Sequence, residues 1–177
     1  MLERLNDIPD LPHFLGIVAT AVLATLNERL RHSTSAFLFV FWHLTGVFLH
    51  ELCHLLAGVL LMARPVGFSV FPRREETPDG RCLWQLGSVT FQKLNAVNSL
   101  PVALAPLGLV WLAFWIFSRW DSWFSVGIFP TIGMYVLVFV LLYNAMPSRQ
   151  DLRVAAHPVG LALYAVIAII AGGLLRL

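Results

Sequence analysis

The chain has 177 residues, of which 58% are hydrophobic and only 12% are charged. A soluble domain normally carries about a quarter charged residues, so the composition indicates a membrane protein rather than an ordinary soluble domain. The two cysteines provide no disulfide framework. The net charge of +2 is spread too thinly along the chain to predict binding to nucleic acid.

Long apolar runs dominate the chain. A transmembrane helix needs about 20 mostly apolar residues. The sequence therefore predicts a single-domain, all-α integral membrane protein with about five transmembrane helices. The predicted spans are residues 11–27, 35–63, 100–118, 124–146 and 154–175.

Flanking charges predict how these helices are oriented, because cytoplasmic loops collect Lys and Arg. With an inside N-terminus, eight basic residues lie inside and four outside, which together make the 12 in the chain. The residues before the first run are mainly acidic, unlike the start of a signal peptide, so this helix is expected to be retained. We expect a multi-pass protein of the plasma (inner) membrane.

One long polar stretch, residues 64–98, separates the second and third runs. Residues 66–71 and 82–91 are rich in Val, Phe and Trp, and they flank the turn-like Thr77-Pro78-Asp79-Gly80. This pattern predicts a small β-hairpin. The orientation places that hairpin on the cytoplasmic side.

The second run carries the pattern His50-Glu51-x-x-His54. Residues four apart share one helix face, so both imidazoles can bind one metal ion while Glu51 reaches a bound water. Polar side chains held by neighbouring helices are the alternative. An acidic residue near the centre of a membrane helix costs roughly 2.5–3.5 kcal/mol, however, and a purely structural role offers no compensation. A metal site is therefore favoured.

A catalytic zinc ion usually has three protein ligands, so a further donor is needed. Asp151 is the best candidate, because it follows Pro147, which ends the fourth helix. The second and fourth helices run in the same direction, and both motifs lie toward their cytoplasmic ends. His157 is the alternative third ligand.

Six residues form a recognisable set: His50, Glu51, His54, Asn144, Pro147 and Asp151. Their pattern resembles the site-2 protease family of intramembrane zinc metalloproteases. The resemblance implies one Zn²⁺ per chain bound by His50, His54 and Asp151, with Glu51 as the catalytic carboxylate and a polar β-hairpin after the first motif. It departs from the family pattern at Leu152, where the family has Gly.

The sequence leaves two roles open for Asn144. The resemblance suggests that its amide donates a hydrogen bond to the developing oxyanion, as a second catalytic residue. It could equally satisfy the backbone groups freed at Pro147.

The expected function is hydrolysis of peptide bonds within or next to transmembrane segments of substrate proteins. The expected partners are such a substrate and the lipid bilayer, and an extended substrate could pair with a strand at residues 87–91. A haem- or metal-binding protein without hydrolytic activity is one alternative, with His43, His54 and His157 as ligands. A catalytically inactive, protease-like scaffold is another.

Overall fold

A computed structural model describes residues 10–31, 36–71, 73–76, 82–85, 87–125 and 127–174. Its helices are α1 (Leu11–Arg31), α2 (Ala36–Leu60), α3 (Ser99–Ala103), α4 (Gly108–Trp123), α5 (Ile128–Asn144), α6 (Arg149–Ala155) and α7 (Pro158–Leu174). Its strands are β1 (Pro65–Ser69), β2 (Arg73–Glu76), β3 (Cys82–Gln85) and β4 (Ser88–Phe91).

The chain divides into two compact units, which are described separately. The first comprises Met1–Gly46 and Leu109–Ala145, and the second comprises Val47–Gly108 and Met146–Leu177. Helix α2 contributes its first part to one unit and its second part to the other.

In the first unit, α1 and α5 pack against each other. The backbone of Gly16 lies against the ring of Tyr135, and a side chain at this position would overlap the ring. The imidazole of His13 meets the same ring edge-on, with 6.0 Å between the centroids. A small residue therefore allows the two helices to approach closely.

In the second unit, the polar stretch forms two antiparallel ladders. β1 pairs with β4, and β2 pairs with β3. The predicted hairpin is present, but its second strand is divided into β3 and β4, and β2 lies outside both predicted strands. The predicted turn at residues 77–80 lies outside the described residues.

Two contacts hold the hairpin to the helices of the second unit. Gly58 of α2 leaves room for the ring of Phe91 at the end of β4. The buried Asn98 donates from its amide nitrogen to the carbonyl of Lys93 at 2.9 Å, and its amide oxygen accepts from the N–H of Asn95 at 2.8 Å. The short helix α3 begins directly after this residue and packs against α6.

The predicted fold of about five transmembrane helices is wrong. Within the described residues, one helix is long and apolar enough to cross a membrane, at Leu11–Arg29. A second span is present only if α5 and α6 are counted together across the break between them. The apolar segments Leu44–Leu60 and Pro158–Ile170 are shorter.

The difference arises because an apolar run is not always one continuous helix. The predicted span 100–118 is broken into α3, a 3-10 turn at Ala105–Leu107 and α4, where Pro106 lacks the N–H that a helix requires. The predicted span 124–146 becomes helical only at Ile128. The predicted span 154–175 begins at Pro158, in agreement with the preference of proline for the first turn of a helix.

Candidate metal centre

The structure brings the three predicted ligands of the second unit together. The Nε2 atoms of His50 and His54 are 3.2 Å apart. The Asp151 carboxylate lies 3.4 Å from His50 Nε2 through Oδ2 and 3.2 Å from His54 Nε2 through Oδ1. One ligand atom from each residue lies within 4.8 Å of the others, so this group could hold a metal ion.

His54 is oriented by a backbone carbonyl of α3. Its Nδ1 lies 2.8 Å from the oxygen of Val102, and both groups are buried. A carbonyl can only accept, so Nδ1 carries the proton and the lone pair of Nε2 points into the group of three ligands. Pro106, four residues further along, has no N–H to donate to this carbonyl, which also accepts from a backbone N–H at the C-cap of α3.

Asp151 is oriented by the start of α6. Its Oδ2 accepts a hydrogen bond of 2.7 Å from the N–H of Ser148, and the Ser148 hydroxyl accepts one of 3.2 Å from the N–H of Asp151. This reciprocal pair is a capping box, which satisfies two backbone donors at the helix start. The carboxylate is thereby held in one orientation before any metal binds.

Glu51 lies in a cavity of about 230 Å³, together with His54 and Asp151. Its side chain is 9% exposed. Gly87 packs directly against it, since a Cβ there would lie 2.7 Å from both Glu51 Cγ and Val47 Cγ1. The whole of β4 also lines the cavity, so the carboxyl group, the metal-binding group and a strand share one space.

Asn144 is the last residue of α5, in the first unit. Its amide nitrogen donates to the carbonyl of Val140 at 2.8 Å. A side chain at Gly46 would overlap its amide group. Its predicted role toward an oxyanion stays a prediction.

The other polar residues considered from the sequence lie outside the metal-binding group or outside the described side chains. The described metal-binding group does not include His157, which is exposed beside the start of α7. The side chain of His43 lies outside what the structure describes. Cys53 is a half-buried free thiol on α2.

Two supporting groups were missed from the sequence, and one of them has a recognisable signal. Ser148-x-x-Asp151 matches the spacing of a capping box. The Val102 carbonyl lies 48 residues from His54 in the sequence and has no local signal. The contact between Gly87 and Glu51 has no such signal, because it joins segments that are distant in the sequence.

No family model, curated protein or solved structure matches the chain.

Proposed function

We propose that this chain is a zinc-dependent peptidase that cleaves a membrane protein within or next to a transmembrane segment. The observation that carries the proposal is the convergence of His50, His54 and Asp151 in a cavity that also holds Glu51. The resemblance of these residues to the site-2 protease family supports the same assignment.

The distances in the group suit zinc. Ligand atoms about 2.0–2.1 Å from a tetrahedral zinc ion lie about 3.3 Å from one another. The two Nε2 atoms are 3.2 Å apart, and the nearest Asp151 oxygens are Oδ2 at 3.4 Å from His50 and Oδ1 at 3.2 Å from His54, so the closest contacts are near that spacing. Two imidazoles and one carboxylate are also a usual ligand set for catalytic zinc. One Zn²⁺ per chain is therefore part of the proposal.

The residues of the site have different chemical roles. His50, His54 and Asp151 hold the ion, which when bound lowers the pKa of a coordinated water toward neutrality and polarises the peptide carbonyl. Glu51 accepts the proton of the attacking water and returns it to the leaving amine. The burial of its carboxyl group keeps bulk water from competing for that proton.

The substrate is expected to bind as an extended strand. Helical backbone groups are already paired, so a transmembrane helix must unwind locally before its carbonyls can be attacked. Within the described part of the hairpin, β4 is paired only with β1, which leaves one edge for a further strand. A peptide added there lies along the wall of the cavity that contains Glu51.

A membrane location is supported by the large apolar side chains that individual helices expose. Soluble proteins rarely expose large contiguous apolar patches. Helices α1, α4 and α7 expose many large apolar side chains, and only 17% of the candidate span in α1 is buried. Examples are Phe14, Ile17, Val22, Trp111, Phe114, Ile169 and Ile170. We place the protein in the plasma (inner) membrane, with its site toward the cytoplasm.

The geometry argues against the haem alternative. That alternative needs His54 as a haem ligand together with His43 or His157, whereas the Nε2 of His54 lies 3.2 Å from both His50 Nε2 and Asp151 Oδ1. A haem site also has no use for the carboxyl group of Glu51. An inactive, protease-like scaffold predicts a bound metal without cleavage, and the next experiment separates it from a peptidase.

Glu51→Gln tests the proposal, because the amide keeps the size of the side chain but cannot take the proton. We expect the variant to retain its zinc and to lose cleavage of a co-expressed membrane substrate, by at least about a hundredfold. Cleavage is followed by gel shift of the substrate, and metal content is measured on the purified protein.

Asp121→Asn is the matched control. It removes one carboxylate from an exposed position on α4 and should leave cleavage unchanged. Undiminished cleavage by Glu51→Gln would refute the peptidase, and absence of cleavage by the wild type across membrane substrates would favour the scaffold.

A further inference from the structure

The junction between α2 and the hairpin has an unusual backbone. Met62 and Arg64 both have positive φ angles, 54° and 52°, which non-glycine residues seldom adopt. Ala63, between them, is completely buried. Its N–H donates to the carbonyl of Gly58 at 2.8 Å, and its carbonyl accepts from the N–H of Lys93 at 3.0 Å. The backbone of the junction is therefore held at its centre.

This geometry places two cations side by side. The N–H of Gln92 donates to the carbonyl of Arg64 at 3.0 Å, which extends the pairing of the β1 and β4 segments. Arg64 and Lys93 both line a cavity of about 400 Å³, with Val59, Met62 and Pro65. Within the described residues, neither cationic side chain has an ion-pair or hydrogen-bond partner.

Exposed apolar side chains surround the two cations. Met62 is 82% exposed and Leu60 is 80% exposed, and Val59 and Val66 are also exposed. Such a combination is costly in water, because large apolar groups and unpaired charges favour different surroundings. It is the usual composition of a surface that meets the boundary between lipid headgroups and acyl chains.

We propose that this junction binds the headgroup of an anionic phospholipid. Arg64 and Lys93 contact the phosphate, and the acyl chains lie against Val59, Leu60 and Met62. The cavity lining contains two cationic and no acidic side chains, so the site favours an anionic headgroup over a zwitterionic one. A bound lipid would fix the end of α2, the helix that carries His50 and His54, at the headgroup level.

The test is a titration of the full chain in a neutral detergent with phosphatidylglycerol or phosphatidylcholine, each labelled in an acyl chain and followed by fluorescence anisotropy. We expect tighter binding of phosphatidylglycerol. Arg64→Gln with Lys93→Gln should weaken that binding about 25-fold, since each cation near a lipid surface contributes about fivefold. Met62→Ser should weaken the binding of both lipids.

Arg29→Gln with Arg119→Gln is the charge-matched control, because both residues are exposed cations outside the junction. Equal weakening by the control pair would refute a specific site. Displacement by inorganic phosphate as effective as by the lipid would show a free-anion site instead. A change from a dimer to a monomer in the Arg64 and Lys93 variant would assign the surface to a second copy of the chain. If the Arg64 and Lys93 variant keeps its zinc content, its weaker lipid binding is not caused by loss of the metal site.

Discussion

Two helices supply the metal-binding group, and they position their ligands in different ways. In α2, a helix of 25 residues, His50 and His54 are neighbours because they lie one turn apart. In α6, a helix of only 7 residues, Asp151 is held by hydrogen bonds to Ser148 at the helix start. A regular helix positions ligands through its own geometry, whereas a short helix needs a cap to do so.

Asp151→Ala is expected to have the largest effect on zinc binding, because it removes the only ligand that α6 contributes. We expect zinc affinity to fall by more than about a hundredfold, with loss of cleavage. Zinc affinity is measured by competition with a chromogenic chelator. Retention of wild-type affinity would mean that the two imidazoles find their third ligand elsewhere.

Gly87→Ala changes the surroundings of Glu51 on α2 and leaves the three metal ligands intact. The added Cβ would lie 2.7 Å from Glu51 Cγ, so the carboxyl group must move. A displacement of about 1 Å can cost about a hundredfold in rate. We expect kcat to fall by up to this factor at unchanged zinc affinity.

Gly67→Ala is the matched control, because a Cβ at this exposed position of β1 makes only an ordinary contact of 3.5 Å with Thr90. Its kcat should equal that of the wild type. If both alanine variants lose the same activity, the sheet as a whole rather than the Glu51 contact is responsible.

Ser148→Ala tests the cap of α6. Removal of the hydroxyl leaves the N–H of Asp151 without its acceptor and weakens the start of α6, while the backbone N–H of Ser148 still donates to the carboxylate. We expect zinc affinity to fall about tenfold. Ser148→Thr keeps the hydroxyl and should retain most of the affinity. Isothermal titration of the zinc-free protein measures both, and equal affinities for the alanine and threonine variants would contradict a role for the cap.

Pro106→Ala is expected to have the smallest effect on zinc binding. It acts through His54, one of the two ligands that α2 contributes. The new N–H competes with His54 for the carbonyl of Val102, and a hydrogen bond of this kind contributes about 1 kcal/mol. We expect zinc affinity to fall about fivefold. Pro158→Ala, at the first position of α7, removes a proline where no N–H is needed and should leave the affinity unchanged.

The sequence predicted what local geometry determines. His50 and His54 are four residues apart, so on a helix they lie on the same face. This could be predicted without knowing the rest of the fold. Asp151 required the position of Pro147 and the family resemblance as well. The carbonyl of Val102 and the contact of Gly87 with Glu51 were not predictable, because both depend on how distant segments pack.

The number of membrane spans was the main failure, and prolines explain much of it. A count of apolar residues treats 100–118 as one helix, although Pro106, which lacks a backbone N–H, lies where the run is divided. The same break supplies the acceptor that orients His54. Apolar content predicts which residues avoid water, but the positions of proline determine where helices stop.

The most direct test of the account is the metal content of the full-length wild-type protein, purified without chelators and measured by inductively coupled plasma mass spectrometry. We expect one zinc ion per chain. A folded protein that binds no metal, even after incubation with excess zinc, would contradict it.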